Sequence, residues 1–229
     1  LSTTNFKHDL FSQFARIAKV MGNGYRLEML EFLAQGERNV EELARLVGLT
    51  VANASQHLQQ LRLAGLVKNR KVGHRVFYRL AGEDVVRLLS ALREVAERLS
   101  GDVRSLIEDY LTVKDSLEPV PARQLLERMR SGEVTVLDVR PPEEYAAGHL
   151  PGAVNVPVEE LEKHVDALPA DREIVAYCRG PHCVLAFDAV ARLRERGFDA
   201  RRLDGGLPEW RLDGLPVEAG GPQGPPWKP

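Results

Sequence analysis

The sequence predicts two domains of different classes: a mainly α domain with one short hairpin, then an α/β domain built on a mostly parallel sheet. Three observations support this. Over residues 1–111, apolar side chains recur every three or four positions, the period of helices that bury one face. From residue 121 onward, short β-rich runs alternate with helix-like runs, the order that yields a parallel sheet covered by helices. Between them, residues 112–121 interrupt the helical pattern with Pro119 and Pro121, and the balance of charge changes sign there. A chain of 229 residues is long enough for two such domains, each with its own core. The expected division is 1–111 for the first domain, 112–121 for a linker, 119–219 for the second domain and 220–229 for a disordered tail, the last because it holds four prolines and three glycines.

In the first domain, Phe6, Leu10, Phe14 and Ile17 mark one helix and Leu27, Leu30 and Leu33 a second, with the breaker Gly22-Asn23-Gly24 between them. Val40, Leu43, Ala44 and Val47 define a short third helix ending at Gly48. Thr50 is placed to cap a fourth, which runs through Ala54, Leu58 and Leu61 to Gly65. Residues 66–70 and 75–80 read as two strands around Lys71-Val72-Gly73-His74, where Gly73 supplies the positive φ that a hairpin loop needs. Val86, Leu89, Leu92, Val95, Leu99, Val103, Leu106 and Tyr110 form one stripe on a long helix over 83–111, with Gly101 its weak point. In the second domain the strand-like runs are 134–139, 153–157, 173–178 and 200–206, and the helical ones 121–130, 158–168 and 183–196.

Composition narrows the function. The chain has 31 Lys and Arg against 33 Asp and Glu, a formal net charge of −2, with 44% hydrophobic residues, as in an ordinary soluble protein. No run approaches the ~18 consecutive apolar residues of a membrane span, and LSTTNFKHDL lacks the apolar centre of a secretory signal. A cytoplasmic chain with no membrane partner is expected. The two cysteines, Cys178 and Cys183, are too few for a disulfide scaffold or a four-cysteine zinc site, and neither a metal nor a cofactor is expected.

The near-zero net charge conceals an asymmetry. Residues 1–115 hold 17 Lys and Arg against 14 Asp and Glu, whereas residues 116–229 hold 14 against 19. Within the first part, residues 43–82 contain no acid but carry Arg45, Arg62, Lys68, Arg70, Lys71, Arg75 and Arg79. A one-sign stretch of this kind suits a polyanion, the alternative being a solvated basic face. In a helix-turn-helix the second helix enters the major groove. Burying Ala54, Leu58 and Leu61 turns Asn53, Ser55, Gln56, His57 and Gln59 toward DNA, followed by Arg62. Lys68, Arg70, Lys71, His74 and Arg75 then lie on a wing that meets phosphates or the neighbouring minor groove. His57 also has a plain reading as a packed or capping histidine.

The run ASQHLQQLRLAGLV followed by GHRVFYRL resembles the winged helix-turn-helix of the ArsR family of bacterial repressors, a resemblance covering roughly residues 10–110. It implies a homodimer whose first and last helices pack together, reading a pseudo-palindromic double-stranded operator. Many members of that family sense metals or arsenite through Cys, His and Asp ligands on the helix before the turn or on the last helix. Here VEELARLVG has neither Cys nor His, and the last helix offers Asp84, Asp102 and Asp109 without a His. A soft metalloid needs thiolates, so the family's usual inducer site is absent from this domain and a signal must arrive elsewhere.

In the second domain, EIVAYCRGPHCVLAFDAVARLRERG places Cys178 at the carboxyl end of a buried strand, before a short loop and a helix that begins near Cys183. Ligands of parallel α/β sheets bind at that end of the strands. Loop amides and a helix N-terminus there favour a thiolate, and Arg179 adds positive charge. Such a thiolate can attack a sulfur donor and hold the transferred sulfur as a persulfide. VTVLDVRPPEEYAAGHLPGAVNVPVEEL and LDGGLPEWRLDGLPV, with this segment, resemble rhodanese domains from about Pro119 to Val217. The resemblance implies a sulfurtransferase fold in which Cys178 carries sulfane sulfur and Arg179, Gly180, Pro181, His182 and Cys183 cradle it. Asp138, Arg140, Glu144, His149 and Trp210 then look like framework residues. Active rhodaneses commonly close this loop with Arg or Lys, where this chain has Cys183. Thiosulfate should bind weakly as a result, and Cys183 is either an inert helix-start cysteine or one that resolves a persulfide. A related phosphatase and arsenate-reductase scaffold uses Arg six positions after its cysteine, where this chain has Val184.

The sequence therefore points to a dimeric DNA-binding repressor whose rhodanese domain senses or transfers sulfane sulfur, with a reactive sulfur donor and a thiol acceptor as partners. A sulfurtransferase that uses its helical domain mainly to dimerise is the alternative. An arsenic-responsive regulator with arsenate reductase activity is the third reading, disfavoured by Val184 and by the missing ligands.

Overall fold

The computed structural model describes residues 3–112 and 117–220. The expected linker lies partly, and the expected tail almost wholly, outside these residues. The chain forms two compact units, Leu1–Leu89 and Ser90–Pro229. Among the described residues no helix is long and apolar enough to cross a membrane.

The first unit contains α1 (Thr3–Met21), α2 (Gly24–Gln35), β1 (Arg38–Asn39), α3 (Val40–Leu46), α4 (Val51–Leu63), β2 (Val67–Val72) and β3 (Arg75–Leu80). Short polar residues start its helices. Asn23 accepts from the Arg26 amide at 3.2 Å, and Asn39 and Glu42 exchange side-chain and backbone bonds at 2.9 and 3.2 Å. Thr50 caps α4 by accepting from the Asn53 amide at 3.3 Å. Gly48 and Gly65, with φ of 70° and 77°, end α3 and α4 in a conformation other residues rarely adopt. Between β2 and β3 the chain turns over Gly73 and His74, with Gly73 at φ 57°, and β2 extends two residues further than the sequence suggests. The sequence gives no sign of β1, whose two residues pair with Tyr78 and Phe77 to add a third, antiparallel strand. Met29, Leu30, Leu43, Ala54, Leu58 and Leu61 are fully buried at the centre of the core.

The single helix expected over 83–111 is broken. It consists of α5 (Glu83–Leu99), α6 (Gly101–Ile107) and a π-helical turn over Glu108–Thr112. The Ser100 side chain accepts from the Val103 amide at 3.3 Å, starting a new helix where Gly101 weakens the old one.

In the second unit β4 (Val134–Asp138), β5 (Val154–Asn155), β6 (Glu173–Cys178) and β7 (Ala200–Gly206) form a parallel sheet in the order β5-β4-β6-β7. Around it lie α7 (Ala122–Arg130), α8 (Pro142–Ala147), α9 (Leu161–His164), α10 (Val184–Glu195) and α11 (Leu207–Leu212). The helix expected over 158–168 is reduced to α9 between two 3₁₀ turns. Along β6 the side chains alternate between two cores. Ile174, Ala176 and Cys178 join the one that contains Ala189, Val190 and Leu193, and Val175 and Tyr177 join the one that contains Leu125 and Trp210. β6 is therefore an interior strand buried on both faces, and its carboxyl end is a fixed position.

Candidate functional site

Cys178 is the last residue of β6 and 1% exposed. A disulfide joins it to Cys183 across Arg179, Gly180, Pro181 and His182, with the two Cα atoms 6.1 Å apart. The Cys183 amide donates to the Gly180 carbonyl at 3.1 Å, which tightens the loop, and Cys183 occupies the N-cap position of α10. Gly180 is buried, while Pro181, His182 and Cys183 are partly exposed. The loop rests on Gly206 at the end of β7. A Cβ there would lie 2.5 Å from the Arg179 carbonyl carbon and the Gly180 nitrogen, and 2.6 Å from the Cys178 oxygen. Only glycine allows that approach.

Arg179 has a buried carboxylate partner. Its guanidinium grips Glu144 of α8, with Nε 3.0 and 3.1 Å from the two carboxylate oxygens and Nη2 2.9 Å from one of them. Glu144 is 1% exposed, and a carboxylate so deeply buried requires a cation. The sequence shows both residues but not that one claims the other.

Beneath the loop is a polar framework. Arg140 donates through Nε to Asp138 at 2.9 Å and through Nη2 to the Gly148 carbonyl at 2.8 Å, and Tyr177 donates its hydroxyl to Asp138 at 2.5 Å. Asn155 ties the Asp138 and Arg140 carbonyls together, each at 2.9 Å. Burial works against the Arg140 charge, yet the bonds to Asp138 hold its pKa above the ordinary value. Burial, followed by the nearby Asp138 charge, pushes the Tyr177 hydroxyl well up. His149 stacks on Tyr145 with centroids 3.7 Å apart, and Trp210 donates to the Pro216 carbonyl at 2.7 Å. All five sequence-assigned framework residues are buried.

His182 points elsewhere. Its Nε2 lies 3.3 Å from the Glu97 carboxylate on α5. Desolvation lowers the His182 pKa, and the Glu97 charge opposes that shift.

In the first unit, α4 exposes Asn53, Gln56, Gln59 and Arg62 and half-buries Ser55, while Lys68, Lys71, His74 and Arg75 are exposed on the hairpin. Two residues of the expected DNA-binding set also have partners within this unit. The His57 ring is half-buried with its centroid 6.0 Å from that of Tyr25 on α2, and its pKa is lowered by desolvation and then by Arg26. Arg70 forks onto Glu37, with Nε 2.8 and 2.9 Å from its two oxygens, and covers the Phe77 ring. The remaining face of α4 and the hairpin presents amide and cationic groups with no acid among residues 43–82.

Residues 23–69, from α2 into β2, match the model of the bacterial regulatory protein, arsR family, and residues 121–213 match that of the rhodanese-like domain. The chain is 48% identical over 218 residues to HTH-type transcriptional regulator Rv0324 of Mycobacterium tuberculosis, spanning 95% of this chain and 96% of that one. The chain belongs to the ArsR-family regulators that carry a C-terminal rhodanese-like domain. This regulator is also 32% identical over 102 residues to a sulfurtransferase of Allochromatium vinosum, covering 44% of this chain and 94% of that one. Among solved structures, the homodimeric winged helix-turn-helix DNA-binding domain Mb0332 of Mycobacterium bovis is 45% identical over 42% of this chain and 89% of its own, with a TM-score of 0.39. The ArsR-family match contains all of α4, and the rhodanese match contains the cysteine loop, Glu144 and Gly206.

Proposed function

We propose that this regulator is a homodimeric repressor, acting in the cytoplasm, that binds a double-stranded operator through α4 and the β2–β3 hairpin and senses sulfane sulfur at Cys178. The observation that carries this reading is the placement of both cysteines of the chain, bonded to each other, in one loop at the carboxyl end of β6. With the disulfide opened, the Cys178 thiolate attacks the outer sulfur of a persulfide donor R–S–SH. The donor S–S bond breaks, RS⁻ leaves with the bonding pair, and Cys178 becomes Cys–S–SH. The Cys183 thiolate then attacks the inner sulfur, expelling HS⁻ and forming the Cys178–Cys183 disulfide that the structure holds. Arg179 turned to Glu144, and Glu97 beside His182, leave this loop a poor seat for dianionic thiosulfate.

The second copy is proposed to cover the apolar side chains that α1, α5 and α6 leave exposed. These include Phe6, Phe11 and Phe14 on α1, and Leu92, Leu99 and Leu106 on the later helices. Apolar exposure on that scale marks an interface.

For DNA, replacing Lys68, Lys71 and Arg75 together by Gln is expected to weaken binding to all duplexes and to flatten the salt dependence by up to ~0.9 per lost phosphate contact. Gln56→Ala is expected mainly to change base preference. An unchanged salt slope in the triple variant would overturn the wing assignment.

The sensing reading is tested by operator affinity at one fixed salt concentration, for wild type, Cys178→Ser and Cys183→Ser, each reduced and polysulfide-treated, with intact mass read in parallel. The expected result is a sulfur-dependent change in wild type that vanishes in Cys178→Ser. Unchanged affinity in a protein shown to be persulfidated, together with steady sulfur transfer to cyanide, would instead favour a sulfurtransferase that dimerises through its helices.

A further inference from the structure

We infer that the C-terminal half of α5 is the element that carries the state of the Cys178–Cys183 loop toward the DNA-binding unit, with Glu97 and Arg93 as positioning residues. The inference rests on the sulfur-sensing reading above. Arg93 and Glu97 are four residues apart, so they occupy one face of the helix. The Glu97 carboxylate lies 3.3 Å from Nε2 of His182, the neighbour of Cys183 inside the disulfide-closed ring. Arg93 Nη1 lies 3.0 Å from Glu209, whose other oxygen accepts from the Gly206 amide at 3.0 Å. Gly206 in turn is the residue against which the backbone of Cys178, Arg179 and Gly180 is pressed. The helix thus holds the cysteine loop from two directions, once through its exposed arm and once through its floor. Arg93 and Glu209 are 23% and 24% exposed, so this pair is better shielded than ordinary surface ion pairs.

The same helix has other duties along its length. Val85 is part of the core of the first unit and Leu89 packs against that core, while Leu88, Leu92, Val95 and Leu99 form an exposed apolar row. The 17-residue helix thus begins among the core residues of the first unit and ends at the sulfur loop of the second, with the apolar row proposed for a second copy between them. Opening the disulfide, or loading Cys178, removes the covalent tie that fixes His182 relative to β6. The His182–Glu97 contact and the Gly206 floor then respond, and α5 is where that response arrives.

The first test is hydrogen exchange on the full chain in its disulfide, reduced and polysulfide-treated forms. Amides of residues 90–99 are expected to exchange at least threefold faster once the ring is open, and identical exchange in all three forms overturns the inference. The second test uses Arg93→Ala/Glu97→Ala and Arg93→Gln/Glu97→Gln, with a duplex selected by wild type from a randomised pool. Both variants are expected to bind it within twofold of wild type when reduced and to persulfidate Cys178 equally, while the sulfur-dependent change in affinity falls below twofold. Retention of the full wild-type response in both variants also overturns the inference. If wild type binds the duplex equally in every form while residues 90–99 still respond, the sensing reading fails and the link from loop to helix stands.

Discussion

Asp138→Ala is expected to destabilise the second unit by about 3–5 kcal/mol, because it removes one partner of a fully buried ion pair, the carboxylate that the Arg140 guanidinium grips. The Tyr177 hydroxyl loses its acceptor in the same step. Domains are commonly stable by only ~5–15 kcal/mol, so a loss of this size removes a large share of the total. The first unit has its own core, built from Leu30, Leu43 and Leu58 among others, and its transition is expected to stay where it is. Urea denaturation followed by intrinsic fluorescence reads the second unit through Trp210, which is 1% exposed. A midpoint shift worth less than about 1 kcal/mol would mean that the pair is not the keystone its burial suggests.

Gly206→Ala is expected to have the next largest effect, for a purely steric reason. Its φ of −146° suits any residue, so the backbone itself is unstrained. The obstacle is that the added methyl would sit 2.5 Å from two backbone atoms of the cysteine loop, which must move away. Overpacking of this kind costs about 1–3 kcal/mol. The displaced loop should also hold Cys178 and Cys183 less well in register, so that a smaller fraction of the protein carries the disulfide after equilibration in a glutathione buffer. An unchanged disulfide fraction together with unchanged stability would show that β7 gives way instead of the loop.

The two fold classes were legible because both depend on periodicity, which a sequence carries openly. Ala54, Leu58 and Leu61 define the buried side of α4, and Ile174, Ala176 and Cys178 alternate with Val175 and Tyr177 along β6. Short elements carry too little periodicity to be read. β1 is two residues long and is fixed by pairing with β3 rather than by its own composition, and α8 and α11 are six residues each. The break at Ser100 was half visible: Gly101 marked the weakness, but the decision of Ser100 to cap a new helix is a local hydrogen-bond choice. At the site, the cysteines, the loop and the framework residues could be named from motif resemblance. The partners could not. Arg179 is engaged by Glu144, 35 residues away, Arg70 by Glu37, 33 residues away, and His182 by Glu97 from a helix far upstream. Such pairings depend on which distant segments the fold sets side by side, and only the folded chain brings them together.

The two sulfurs of the disulfide differ in accessibility, since Cys178 is sealed over Gly206 while Cys183 is partly exposed. An incoming low-molecular-weight thiolate is therefore expected to meet Cys183, form its mixed disulfide there, and release Cys178 as the leaving thiolate. That is the form able to take up sulfane sulfur on the reading proposed above. Erasure and loading are thus assigned to opposite ends of a single bond, with reducing thiols acting at one cysteine and oxidised sulfur at the other. On the sensing reading, such a loop is expected to report the ratio of reducing thiols to sulfane sulfur rather than the abundance of either.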